Sequence, residues 1–460
     1  VIRVKNPYSQ EVLAELLFAT DSEIETALST AHQFSRTYSH TPAHEREEIL
    51  RLASHRLNDR RDSFAELIMR EVGKPISLAR FEVDRAIQLL RWAASEAPRF
   101  APEAWRTDLQ PWGHDGFALE MRVPVGTVLG ITPFNFPLNL LLHKVAPAIA
   151  VGCPVLIKPS PFAPLTALNV LGLFEGAPQG LLQVILSEDA QTERIISDSR
   201  IRHVSFTGSS EVGHRIRSQI AGTKGLTLEL GGNLWLGILD EFAPEQIQAL
   251  SKKIAHAAYG FAGQSCISVQ NLAVPRSQAV LWEQALQRET ESFAYGDPSD
   301  SQTLCGPLIH AQARDRVRSL LQDDQVQPIA LAKNLIGASR SELLPPTLVK
   351  ADRQSKICRH EAFAPTLNLN TFGHEEEFIA WVNESRYGLR AGVYTERLSL
   401  AHRMMRELDV GGVCLNSIPS SRQDPHPYGG FKESGLGQEG IRAAMRELTL
   451  SKFCSWAPLS

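Results

Sequence analysis

Five short runs rich in β-branched residues, VGTVLGI, PVLIKP, LLQVIL, HVSFTG and LTLEL, recur between residues 125 and 230, with helix-patterned stretches between them. No other feature constrains the fold as tightly. Strands that lie side by side in one direction need a long crossover, usually a helix, between each and the next. A strand–helix repeat therefore implies a parallel sheet covered by helices on both faces. Open sheets of this kind bind ligands at the carboxyl ends of their strands. Pro133 to Pro137, Lys158, Thr207 to Gly213 and Glu229 all fall where one of these runs ends, so they are the first candidates for a site.

Around this block the pattern differs. The first hundred residues read as mostly helical: Ser22 to Glu25 fits a capping box, Thr41 and Pro42 start a second helix, and Gly73 and Pro75 punctuate the next junction. A helix over about 76–97 stops before Pro98, and Trp105 to Phe117 reads as a loop. A second α/β block is expected from about Ser251 to Gly430, with strand-like runs VQNLAV, LNLNTF and AGVYT. A chain of 460 residues exceeds one compact core, so two or three domains are expected.

Composition excludes several classes. Hydrophobic content of 43% with 21% charged residues suits a folded, soluble enzyme and not a disordered chain. A net charge of −4 offers no basic footprint for nucleic acid. The six cysteines (153, 266, 305, 358, 414 and 454) form no CxxC pair or Cys/His cluster, which argues against metal or a disulfide framework and for a reducing compartment. The most apolar stretch, 123–156, is broken by prolines, Asn135, Asn139, His143 and Lys144. It falls short of the ~18 to 20 uninterrupted apolar residues of a membrane span. No signal pattern opens the chain at Val1, and the missing initiator Met leaves room for residues before it; cytoplasmic residence is expected.

Several residues suggest chemistry, each with an ordinary alternative. Cys266 lies in FAGQSCISVQ among small and polar residues, where a core thiol would be wrapped in Leu, Ile and Val. It reads either as a small buried hydrophobe or as a nucleophile whose neighbours favour the thiolate. FTGSSEVG sets a strand end, a Gly-Ser-Ser turn and a helix start in a row, which suits a phosphate or a plain glycine turn. Lys158 ends a strand, where it either snorkels on the surface or reaches ribose hydroxyls. Asn135, enclosed by aromatics and prolines, reads as a structural turn or as a rigid oxyanion donor. Glu229, between Leu228 and Leu230 and ahead of two glycines, is a general base of raised pKa or a carboxylate capped by backbone amides.

Taken in order, PFNFP (133–137), LIKPS (156–160), FTGSSEVG (206–213), LELGGN (228–233), GQSC (263–266), HEAFAP (360–365), YGLRAGVYT (387–395) and PYGGFKESGLGQEG (427–440) resemble the aldehyde dehydrogenase superfamily across nearly the whole chain. The resemblance implies a doubly wound parallel-sheet NAD(P)-binding domain (1–106 and 125–231) and a second α/β catalytic domain (232–432). It also implies a small β oligomerisation arm (107–124 and 445–460), in a homodimer or homotetramer. It casts Cys266 as nucleophile, Asn135 with the Cys266 backbone N–H as oxyanion donors, Glu229 as activator of the hydrolytic water, and Lys144 and Glu439 as an outward proton path. Lys158 would hold the adenosine ribose, Ser209 the pyrophosphate, and Glu361 and Phe363 the nicotinamide ribose and ring. Thr132, Pro133, Phe134, Ser160 and Gly208 would line the same cofactor site.

Departures from the family pattern shape the rest. Pro161 stands where many NAD-specific members carry a glutamate, so charge no longer excludes NADP and either NAD or NADP is expected. The usual glycine-rich turn reads SEDAQ (187–191), His360 and Ala364 depart within the HEAFAP segment, and Trp235 and Leu236 are larger than usual. GQSCISVQ and RQDPHPYGG look most like the lactaldehyde and non-phosphorylating glyceraldehyde-phosphate branches. By that likeness Arg85, His143, Ser265 and Arg422 are the substrate-binding candidates, for a small polar, hydroxy or anionic aldehyde. Ser265, in place of an arginine, counts against a strongly anionic one. The alternatives are a CoA-acylating enzyme, against which Glu229 argues, and a catalytically silent protein on the same fold.

Overall fold

The five runs become strands Thr127–Ile131, Val155–Lys158, Leu182–Val184, Ile201–Thr207 and Gly225–Glu229 in a computed structural model that describes residues 1–113 and 115–457. They pair in parallel, in the spatial order fifth, fourth, first, second, third. Gly435–Leu436, from far along the chain, adds an antiparallel edge beside Gly225–Glu229. The order reverses between the strands that end at Ile131 and Thr207. Connections leave toward opposite faces there, which opens a crevice at the carboxyl ends.

Alternate strand residues point to opposite layers. Val128, Val155 and Ile157 enter a core shared with helices Ala43–Asp59, Arg61–Val72, Ile76–Glu96 and Asn139–Val151. Leu129, Ile131 and Leu156 face the other way, onto Ile24 and Leu28 of Asp21–Tyr38 and onto Ile195, Ile196 and Ile216. Every residue of Asn139–Val151 is buried. The most apolar stretch of the sequence thus supplies the central helix of this core, and among the described residues no helix is long and apolar enough to cross a membrane.

The entry to that helix rests on a buried acid. Glu82 accepts from the backbone N–H of Leu138 and Asn139, at 3.0 and 3.1 Å, and pairs with Lys74. The Lys74 ammonium also lies 3.7 Å over the Phe136 ring and 4.6 Å over that of Phe261. Burial draws it down to about 8. Two helix-start amides that would otherwise be orphaned are satisfied in this way.

The second sheet has seven strands in the order Val326–Leu331, Thr347–Ala351, Thr366–Phe372, Val269–Pro275, Leu234–Ile238, Ala391–Tyr394 and Val413–Leu415. Only the first pair is antiparallel. This block begins earlier than Ser251, because Leu234–Ile238 lies deep within it. That placement accounts for the bulky residues after Asn233: Trp235 packs against Trp381 with centroids 5.5 Å apart, and Leu236 is fully buried.

Three local readings are corrected. Residues Ile2–Lys5 and Val12–Leu16 form an antiparallel hairpin and are not helical; runs of four and five residues are too short to show a period. The capping box is Thr20–Glu23, where Thr20 N–H donates to Glu23 at 2.7 Å and Glu23 N–H to Thr20 Oγ1 at 3.2 Å, so Ser22 sits inside the helix. Within the expected loop 105–117, both ends are strand: Glu103–Trp105 pairs with Phe117–Pro124, which pairs in turn with Thr449–Trp456. Residues 114 and 458–460 of the expected arm lie outside the described residues.

Replacing Glu82 by Ala strands the Lys74 charge and two helix-start amides, with an expected loss of about 3–5 kcal/mol. Urea unfolding should show it as a lowered midpoint, with Glu82→Gln, which keeps an acceptor, losing less.

Candidate active site

A groove of about 1050 Å³ runs along the carboxyl ends of the first sheet and crosses the crevice where strand order reverses. At one end Lys158 is half-buried, and no described residue accepts a hydrogen bond from it. Burial draws its pKa down while the Asp189 carboxylate, at the start of helix Asp189–Ser197, opposes that shift. Ser160 and Pro161 line the same end.

Midway, helix Ser210–Gln219 presents its N-terminus to the groove. Ser209 caps it, its hydroxyl accepting from Val212 N–H at 3.4 Å. A Cβ on Gly208 would come within 2.4 Å of the Phe206 ring, so the turn into this helix needs glycine. The first-turn amides and the positive end of the helix dipole favour a phosphate.

Toward the inner end stand Thr132, Pro133, Phe134, Glu361 and Phe363. The Phe134 and Phe363 rings meet edge to face at 6.1 Å. Glu361 accepts from Gly232 N–H at 3.0 Å, and burial raises it to about 7. A Cβ on Gly231 would lie 2.3 Å from the Glu361 carboxylate, so the Gly-Gly pair after Leu230 is what lets this acid approach. A lone cation, a helix N-terminus and a carboxylate beside an aromatic ring, spread along one groove, suit the ribose, pyrophosphate and nicotinamide riboside of a dinucleotide.

Cys266, Asn135 and Glu229 also line this groove. The chain reaches the thiol through three successive left-handed residues, Phe261 (φ 52°), Ala262 (φ 55°) and Gly263 (φ 65°). A Cβ on Gly263 would lie 2.0 Å from the Ala364 carbonyl oxygen, so the loop is pressed onto the segment that carries Glu361 and Phe363. Asn135 is buried; its amide donates to Gln264 O at 3.0 Å and its oxygen accepts from Phe136 N–H at 3.1 Å, leaving one N–H free to point elsewhere. The Tyr428 hydroxyl lies 3.3 Å from Cys266 Sγ. Burial pushes the thiol up to about 11, with the Tyr428 contact pulling the other way.

Two buried carboxylates, Glu229 in the groove wall and Glu439, are driven apart in their affinity for protons. Neither oxygen of Glu229 has a hydrogen-bond partner among the described residues. Burial, then the nearby Glu439 charge, push its pKa well above the carboxylate range. Glu439 accepts from Lys144 Nζ at 3.1 Å and Arg422 at 3.3 Å. Burial works against its ionisation too, yet Lys144, His143 and Arg422 together outweigh it and hold Glu439 down to about 2. Lys144 also donates to Ser205 and Thr207, at 3.0 and 2.8 Å.

The substrate candidates are placed differently from the free, converging cations expected. Arg85 binds Asp424 through two nitrogens, at 2.6 and 3.1 Å, and His143 Nε2 lies 2.9 Å from the same carboxylate. Arg422 pairs with Glu439 and stacks 3.7 Å over the Tyr428 ring, and the Ser265 hydroxyl accepts from Ile267 N–H at 3.4 Å. None of the four lines the groove. The cause is burial: a cation removed from water takes the nearest carboxylate, here Asp424 or Glu439. Asp424, Tyr428 and Arg390 were not singled out from the sequence. A phenol ahead of a Gly-Gly pair and an acid two residues past Arg422 were the signals available. Among the described residues no cluster of His, Cys, Asp or Glu is placed to hold a metal ion.

The model of the aldehyde dehydrogenase family matches residues 1–454. The chain is 36% identical over 454 residues to a 3-sulfolactaldehyde dehydrogenase of Priestia aryabhattai, covering 97% of this chain and 93% of that protein. Its structure is similar to that of a glyceraldehyde-3-phosphate dehydrogenase of Methanocaldococcus jannaschii complexed with NADP, with a TM-score of 0.93, 31% identity, and coverage of 100% of this chain and 99% of that one. An aldehyde dehydrogenase of Physcomitrella patens in complex with the product succinate gives a TM-score of 0.93 at 29% identity, covering 99% and 95%.

Iodoacetamide labelling of Cys266 in the cofactor-free protein is expected to speed up with pH toward a midpoint of about 11. Mass spectrometry of the tryptic peptide follows it; a midpoint below 8 would contradict the desolvation of this half-buried thiol.

Proposed function

This chain belongs to the aldehyde dehydrogenase family, and from that premise we propose that Cys266 attacks the aldehyde carbon while Glu229 later activates the water that releases the acid. The enzyme is an NAD(P)-dependent oxidoreductase acting on aldehydes. The observation that carries the assignment of residues is that a thiol, a rigid amide and a carboxylate without a partner line the same groove as the dinucleotide-sized site.

The reaction divides into two halves. The Cys266 sulfur bonds to the carbonyl carbon, and the oxygen, now negative, meets the remaining Asn135 N–H and the Cys266 backbone N–H. When bound, the cofactor accepts the hydride that the hemithioacetal carbon gives up as it becomes a thioester. Glu229, whose affinity for protons is raised, takes one from a water molecule. The resulting hydroxide adds to the thioester carbon, the carbon–sulfur bond breaks, the carboxylic acid leaves, and the thiolate returns. The Lys144–Glu439 pair lies behind Glu229 and is the route by which that proton moves outward.

For the cofactor, Lys158 would bind the adenosine ribose hydroxyls, Ser209 and the amides after it the pyrophosphate, and Glu361 the nicotinamide ribose. Thr132, Pro133, Phe134, Ser160, Gly208 and Phe363 shape the walls. Pro161, three residues past Lys158, carries no charge to repel a 2′-phosphate. NADP is accepted on this reading, as it is by the M. jannaschii protein. The substrate is a small polar or anionic aldehyde, the class to which 3-sulfolactaldehyde belongs. Arg85 and His143 act on it through Asp424, by fixing the loop that carries Arg422 and Tyr428.

The three-stranded sheet leaves Trp105, Phe117, Phe453 and Trp456 more than half exposed. By the strand register Trp105 and Phe453 lie on one face and Phe117 and Trp456 on the other, and exposed aromatics of this kind favour a homodimer or homotetramer built through this arm. Cytoplasmic residence is the reading that six scattered free cysteines favour.

In CoA-free buffer, Glu229→Gln should release about one reduced cofactor per site in a burst and then turn over roughly 10²-fold more slowly, the size expected for loss of a general base. The wild-type steady rate should rise with pH as Glu229 loses its proton, a limb the variant lacks. Stopped-flow absorbance at 340 nm reads both, and Cys266→Ala should show no burst. Pro161→Glu should lower kcat/KM for NADP relative to NAD by about thirtyfold, since unit charges 4 Å apart in water interact by about 1 kcal/mol and a 2′-phosphate carries nearly two.

A further inference from the structure

Tyr428 is 4% exposed, and a buried phenol hydroxyl needs a partner. Among the described residues the Cys266 sulfur, 3.3 Å away, is the partner it has, and no other side chain hydrogen-bonds that sulfur. The ring cannot swing aside. Arg422 lies 3.7 Å over its centroid and Arg390 lies 4.8 Å from it. Both guanidiniums are themselves tied, Arg422 to Glu439 and Arg390 to the Ser421 carbonyl at 2.8 Å. The Tyr428 backbone exchanges two hydrogen bonds with Glu439, at 2.9 and 2.7 Å.

We propose that Tyr428 is a catalytic residue whose hydroxyl donates to the sulfur of Cys266 whenever that sulfur carries charge. The proposal rests on Cys266 being the nucleophile. Burial keeps the phenol protonated, so it acts as a donor and never as a base. Thiolate formation in this groove is opposed by burial and by the Glu361 and Glu229 carboxylates. Guanidiniums near the ring polarise the O–H toward its acceptor. The donor matters at two moments: before attack, when it raises the thiolate fraction, and during hydrolysis, when the carbon–sulfur bond breaks and the electron pair returns to sulfur. In the thioester between them the sulfur is neutral and the bond is weak, so the hydroxyl favours leaving over staying.

Tyr428→Phe keeps the ring and both cation contacts and removes only the hydroxyl. The pH midpoint for iodoacetamide labelling of Cys266 should move up by about one unit, the shift that matches a tenfold loss of thiolate. The kcat/KM for aldehyde should fall about tenfold, the effect of one lost hydrogen bond to a charged group, while the KM for NADP stays put. If the phenylalanine variant does not fold, 3-fluorotyrosine at 428, a more acidic donor, should move the midpoint down. A packing role would leave the midpoint where it is. Unchanged labelling midpoints in the phenylalanine or fluorotyrosine protein would overturn the proposal. Full activity in Cys266→Ala would instead overturn the nucleophile assignment beneath it.

Discussion

A buried ionic network at the seam between the two sheets governs where the reactive groups stand. Asp424 binds Arg85 and His143, which come from two helices of the first half of the chain. Glu439 binds Lys144 and Arg422. Charges this deep are costly unless each is met by an opposite charge and by hydrogen bonds, so the late loop has one well-satisfied resting place. That place lays Gly435–Leu436 against the first sheet and brings Tyr428 to the thiol in the turn that leads into the second sheet.

The same network divides labour between two carboxylates. Glu439 takes the cations and stays ionised, whereas Glu229 is left buried, without a partner and beside a negative neighbour. Environments that push two acids in opposite directions make one a fixed charge and the other a group able to exchange a proton. Glu361 sits between these extremes, raised to about 7 and held by a single backbone amide.

Glycine positions the groove at the points where side chains would collide. Gly208 clears the Phe206 ring at the helix start, and Gly231 clears the Glu361 carboxylate. Gly263 lets the Cys266 loop press onto the Ala364 carbonyl. The last two contacts join segments about 100 or more residues apart in the chain, and together the three align the helix N-terminus, the carboxylate and the thiol along one channel.

The sequence by itself determined the parallel sheet, because β-branched runs separated by helix-length stretches have few other ways to pair. It also named Cys266, Asn135, Glu229 and the groove residues from Thr132 to Phe363, since each sits in a short motif at a strand end or turn. Period and motif do not carry the N-terminal hairpin of four- and five-residue strands, nor the place of Leu234–Ile238 in the second sheet, which falls within the 232–432 span that the resemblance gave to the catalytic domain. The cations misled for a different reason. Arg85, His143 and Arg422 have the residue types of a substrate pocket, but whether a cation is free depends on which carboxylate shares its burial. Only the tertiary structure decided that Asp424 would take Arg85 and His143, because those pairings span 339 and 281 residues; Arg422 meets Glu439 only 17 residues on, and does so because both are buried together. Local sequence can specify a charged side chain; the company it keeps when water is excluded is set by the fold.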